Sequence, residues 1–142
     1  MTITPPLFVR TLFHRPWFST AAAVVFWPLL TLWTWKLLES NPLPEQLNDA
    51  LSTSDLLKLI LAKCLHAGVY GVLAGLAWVW APRGRWQLVA IGFLILHGIG
   101  TEIGQTYVPG RHGSPIDVLI DWTGIAIGVV VTRWIKRDST PA

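Results

Sequence analysis

Four stretches of about 20 or more mainly apolar residues divide this chain, and each is long enough to cross the hydrocarbon core of a bilayer as a helix. They run approximately from Trp17 to Leu38, from Leu56 to Ala81, from Gln87 to Tyr107 and from Pro115 to Trp134. A backbone in lipid has no water to bond, so such stretches must be helical. Composition agrees. Of the 142 residues 52% are hydrophobic and only 13% charged, where soluble domains carry about 25% charged residues. The expected fold is an all-α membrane protein, a four-transmembrane-helix bundle. Its parts are a segment 1–16, a membrane domain 17–134 and a tail 135–142.

The first stretch has the outline of a cleavable leader, because Arg10 and Arg15 precede it. Its apolar run is too long, and Glu-Ser-Asn-Pro follows it without small residues spaced for cleavage. It is expected to be a retained helix, kinked at Pro28. Further basic residues are Arg83 and Arg85 between the second and third stretches, and Arg133, Lys136 and Arg137 at the end of the fourth. An even number of spans places all three groups on one side, which the positive-inside rule makes the cytoplasm. Both termini are therefore expected inside, with the acidic loop after Glu39 outside. Trp17, Trp78, Trp80, Trp86 and Trp134 then suit an inner aromatic belt, and Trp33, Trp35 and Tyr107 an outer one.

Small residues four apart let helix backbones approach in a membrane. Gly71 and Gly75, Gly100 and Gly104, and Gly124 and Gly128 have that spacing. The single cysteine, Cys64, permits no internal disulfide and reads as a small core residue. The positive charges flank spans and form no stripe interleaved with exposed aromatics, so no nucleic-acid partner is expected.

Ionisable groups inside a span cost about 2.5–3.5 kcal/mol each on insertion scales and usually face protein or water. Lys63, His66 and Tyr70 share one face of the second helix, Glu102 and Gln105 one face of the third, and Asp117 and Asp121 one face of the fourth. At ~1.5 Å rise per residue, Lys63, Glu102 and Asp121 all lie roughly 8–10 Å from the same end of their spans. Arg111 and His112 sit in the short loop above them. One polar cluster is expected, with Glu102 paired to Lys63 or Arg111. His97 lies deeper and around its helix from Glu102, which makes it a packing or hydrogen-bonding residue outside the cluster. His14, Lys36 and Lys58 are expected at the interface.

Each of these residues also has a bland reading. Lys63 could snorkel, and His66 and Tyr70 could bond backbone carbonyls. In the loop before the fourth helix, Ser114 suits an N-cap, Pro115 the first helical position and Asp117 the capping-box position. The functional alternative makes the loop amides, Arg111 and the helix N-terminus an anion-binding mouth.

Together these residues resemble the VanZ-like family of small bacterial membrane proteins. The likeness rests on Lys63-x-x-His66-x-x-x-Tyr70, Glu102-x-x-Gln105, Gly110-Arg111, and Asp117 with Asp121, Gly124 and Gly128. It covers about residues 55–134, the first span matching in character only. Ala62 stands where the family pattern usually has an acidic residue, Ala67 where an aromatic often follows the His, and Asp121 where Asn is frequent. The resemblance implies a multi-pass protein of the bacterial cytoplasmic membrane with an envelope-related role. The family's namesake is associated with low-level resistance to teicoplanin, which makes glycopeptide-type resistance a conceivable role here.

The expected function is non-enzymatic binding of an anionic membrane lipid or lipid-linked headgroup, with Lys63, His66, Tyr70, Glu102, Gln105, Arg111, Asp117 and Asp121 as the ligand-binding set. One alternative is a scaffold whose cluster only fixes helix register. Another is an intramembrane hydrolase or transferase using His66 or His112 as acid/base. His66, Glu102, Asp117 and Asp121 have the chemistry to ligate a divalent metal, but Lys63 in their midst is a competing cation. No metal and no cofactor are therefore expected.

Overall fold

The computed structural model describes residues 16–40 and 55–137. They form four α-helices: α1 (Pro16–Leu38), α2 (Asp55–Trp80), α3 (Arg85–Gln105) and α4 (Pro115–Arg137). Each is long and apolar enough to span a membrane, over Trp17–Leu38, Leu56–Trp80, Arg85–Gln105 and Pro115–Lys136. The expected boundaries hold to within a few residues. α1 runs through Pro28 without interruption.

Because the helices are apolar all round, the sequence marks the inward faces by residue size more than by polarity. Phe26, Leu30, Trp33 and Leu37 recur at helical spacing down the buried side of α1 and pack on Tyr70, Leu73, Ala74 and Ala77 of α2 and Leu94 of α3. Val24, Leu88, Leu96, Ile127 and Val130 are more than half exposed on the bundle surface. Such a surface suits lipid as solvent and not water.

The most extensive helix contact joins α2 to α4, and glycine permits it. A Cβ built on Gly124 would run into the carbonyl of Ala67, and one on Gly128 into the carbonyl of Gly71. Gly71 would bring its own Cβ to 3.2 Å from the Gly124 oxygen. Two of the three small-residue motifs thus interlock. The third does not, because Gly100 has open space beside it and Gly104 meets only the end of the Leu38 side chain.

Short connections make α2–α3 and α3–α4 antiparallel neighbours. Gly84, at φ +83°, turns the chain into α3. After α3, the amides of Thr106, Tyr107 and Val108 return to the carbonyls of Ile103, Gly104 and Gln105. Gly110, at φ +77°, then redirects the chain toward Ser114 and α4.

Two expectations are corrected. Trp33 is 8% exposed and packs edge-on against His66, so it belongs to the interior and not to an aromatic belt. Cys64 is exposed on the bundle surface because the inward face of α2 is taken by Lys63, His66 and Tyr70. Of the remaining belt tryptophans, Trp17, Trp35, Trp86 and Trp134 are exposed, whereas Trp78 and Trp80 are half-buried, Trp80 packing against Phe26 and Trp27. Arg85 stacks over Trp86, and Arg133 over Trp78.

Candidate functional site

The polar residues of α2, α3 and α4 converge where α1 and α3 end and α2 and α4 begin. Lys63 forms an ion pair with Asp117, joining α2 to the first turn of α4. A turn deeper, His66 Nδ1 lies 3.1 Å from Asp121 Oδ1. These two pairs run parallel because Lys63–His66 and Asp117–Asp121 each advance by about one turn on facing helices.

Glu102 is held differently from the expectation. Its Oε2 accepts a 2.7 Å hydrogen bond from the Ser114 amide, and neither Lys63 nor Arg111 reaches it. The approach depends on Gly113, since a Cβ there would collide with the Glu102 carbonyl. Glu102 thus caps the N-terminus of α4, where an unpaired amide and the helix dipole both favour a carboxylate. The loop amide assigned to an external anion is therefore occupied by the protein's own carboxylate. Arg111 instead donates a long 3.5 Å hydrogen bond to the Leu37 carbonyl at the end of α1. Asp117 does not act as a capping-box side chain, because its carboxylate is committed to Lys63.

Below this level lies a hydrogen-bonded chain in which Tyr70 was expected as a site residue but Thr34, His97 and Thr101 were not. Thr34 Oγ1 donates to the Leu30 carbonyl at 2.7 Å and lies 2.8 Å from His97 Nε2. With its single proton used, Thr34 accepts from His97, which places the imidazole proton on Nε2. His97 Nδ1 is then the acceptor for the Tyr70 hydroxyl at 3.0 Å. Tyr70 is fully buried and also lies 3.4 Å from Thr101 Oγ1. His97, set outside the cluster on helical phase, joins it through Tyr70.

Beside these pairs opens a cavity of about 350 Å³. Lys36, Lys63, His66, Gln105, Arg111 and His112 contribute to its wall. Lys36, expected at the interface alone, reaches this wall while paired with Glu39. Its place one turn before the end of α1 was the only sequence signal for that. Gln105 is 2% exposed, and among the described residues its Nε2 finds no acceptor. Glu102 Oε1 and Asp121 Oδ2 are likewise buried without partners there. Of the eight sequence-selected residues, Lys63, His66, Gln105, Arg111 and Asp117 line the cavity, whereas Tyr70, Glu102 and Asp121 do not, and the set is divided into separate contacts and not joined in one salt-bridged knot.

The VanZ/LLP1 family model matches residues 7–136, which is nearly the whole chain. The chain belongs to the VanZ/LLP1 family. The match includes the first span, which the resemblance in sequence covered in character only. No curated protein and no solved structure matches the chain. In this VanZ/LLP1 protein, then, Lys63, His66, Gln105, Arg111 and Asp117 of the motif line one polar cavity of a four-helix membrane bundle, Gly124 and Gly128 form the α2–α4 seam, and α1 closes the cavity through Trp33, Lys36 and Leu37.

Proposed function

We propose that this VanZ/LLP1 protein binds the anionic headgroup of a membrane lipid or lipid-linked precursor in the cavity at its polar end. The carrying observation is the charge of the wall: Lys36, Lys63 and Arg111 border one cavity of about 350 Å³ against the single carboxylate of Asp117, with His66 and His112 beside them. That volume lies within the ~300–1,000 Å³ range of small-molecule sites. Lys36 and Lys63 each have a carboxylate partner, whereas among the described residues Arg111 is engaged only by a backbone carbonyl. Arg111 is thus the cation most open to a phosphate or carboxylate, which its planar fork can meet with two hydrogen bonds.

The basic flanks at Arg83, Arg85, Arg133 and Lys136 favour an arrangement with the polar end on the outer side of a bacterial cytoplasmic membrane and both termini inside. A lipid of the outer leaflet would enter there, in keeping with an envelope role and with the glycopeptide resistance associated with the family's namesake. A scaffold role is favoured by a different observation, the Lys63–Asp117 and His66–Asp121 pairs tying α2 to α4. Native mass spectrometry of the protein released from membranes separates the two. Retention of an anionic lipid by the wild type and its loss in Arg111→Ala support headgroup binding. Identical lipid profiles in both favour the scaffold.

A further inference from the structure

We propose that His66, Glu102 and Asp121 form a binding site for one divalent transition ion of the zinc or manganese class. Each residue comes from a different helix, α2, α3 and α4 respectively, and each offers a ligand atom within 4.8 Å of the other two. All three are buried. Ligands around a tetrahedral ion with bonds of about 2.1 Å stand roughly 3.4 Å apart. The trio therefore closes on an ion once its side chains draw in by about 1 Å toward that spacing.

Three further observations point to an ion. The first is two uncommitted oxygens. Asp121 is fully buried and Glu102 is 4% exposed, yet among the described residues Asp121 Oδ2 and Glu102 Oε1 have no hydrogen-bond partner, each other included. A proton shared between the carboxyls would need a hydrogen bond between them, whereas an ion is bound across a wider gap. Asp121 Oδ2 is directed at α3, lying 3.3 Å from where a Cβ on Gly98 would stand. Glu102 is one turn further along that same face.

The second is charge. As ligands, two carboxylates and one imidazole would bring two negative charges into a membrane span, and a divalent ion would cancel them. Lys63 is the cation that would otherwise compete, and it is committed to Asp117. The third is access. His66 belongs both to the trio and to the cavity wall, and Gln105, on the same face of α3 as Glu102, lines that wall as well. Three protein ligands with a remaining position reached from a cavity is the pattern of an exchangeable site. One nitrogen and two oxygens suit zinc or manganese better than a thiolate-seeking ion or calcium.

This site stands apart from the headgroup reading, because the ion needs neither Arg111 nor a lipid. The test uses the full chain in detergent, with any affinity tag removed. After stripping with a chelator, it is loaded separately with Zn²⁺, Mn²⁺ and Co²⁺ and desalted, and the metal per chain is measured. One equivalent of zinc or manganese is expected, with a rise in Tm that the chelator reverses and, for Co²⁺, visible absorption of a low-symmetry nitrogen–oxygen site. Glu102→Gln, Asp121→Asn and His66→Ala should each weaken binding at least tenfold, while His112→Ala and Arg111→Ala keep it. Failure of the wild type to retain a stoichiometric ion or gain thermal stability overturns the site, whatever the variants do. So does retention of the ion by a folded Glu102→Gln protein.

Discussion

The backbone amide of Ser114 donates to the side chain of Glu102 across 2.7 Å, so that a carboxylate of α3 caps the N-terminus of α4. With chelator present, Glu102→Gln should therefore melt close to wild type, because Gln keeps an acceptor oxygen for that amide. Glu102→Leu should lose about 1–3 kcal/mol, the cost of stranding a buried donor. Thermal melts in detergent give the order, and equal losses in the two variants would remove the capping role.

The glycine seam between α2 and α4 makes a sharper structural prediction. Gly124→Ala and Gly128→Ala place a methyl group on the backbone of the opposite helix, where nothing flexible can yield. Each should cost about 1–3 kcal/mol or more through overpacking. Gly100→Ala, with no neighbour within 4 Å, should melt like the wild type. A tolerated Gly124→Ala would show that α2 and α4 are not packed this closely.

Much of the architecture was legible because the bilayer leaves few choices. Length and apolarity fixed four spans, and residue spacing placed Lys63, His66, Asp117 and Asp121 on faces that do meet. Partner choice within the cluster was less accessible. Depth put Glu102 level with Lys63, but depth carries no information on which helix faces which, and a backbone donor such as the Ser114 amide leaves no mark in side-chain patterns. The same gap hid Thr34 and His97. Their link to Tyr70 depends on how α1 and α3 pack around α2, whereas helical phase alone turned His97 away from Glu102.

Lys63 and Asp117 should be coupled. Their side chains are 31% and 15% exposed, so the pair is neither fully solvated nor sealed. Lys63→Met and Asp117→Asn are each expected to destabilise the bundle, and the double variant less than their sum. A double-mutant cycle should give a coupling of about 1–3 kcal/mol. Additive losses would mean that the pair contributes nothing beyond its separate side chains.

Orientation can be read by labelling, using a Cys64→Ala background because that thiol is exposed on the bundle. His112→Cys, at the polar end, should react with a membrane-impermeant maleimide in intact cells. Arg83→Cys, in the turn at the opposite end, should react only after the membrane is opened. The reverse pattern would place the cavity on the cytoplasmic side.

The central claim is that the cavity recognises an anionic headgroup, and the most direct measurement is the affinity of purified protein for a short-chain phosphatidylglycerol compared with the matching phosphatidylcholine. Wild type should prefer the anionic lipid by at least tenfold. Arg111→Ala should lose that preference while keeping a wild-type Tm, because exposed or half-exposed charges contribute only about 0–1 kcal/mol to stability. Arg111→Lys should recover part of it, since a point charge cannot reproduce two-point contact. Equal affinity of the wild type for both lipids, or a preference undiminished in a folded Arg111→Ala protein, would contradict the account.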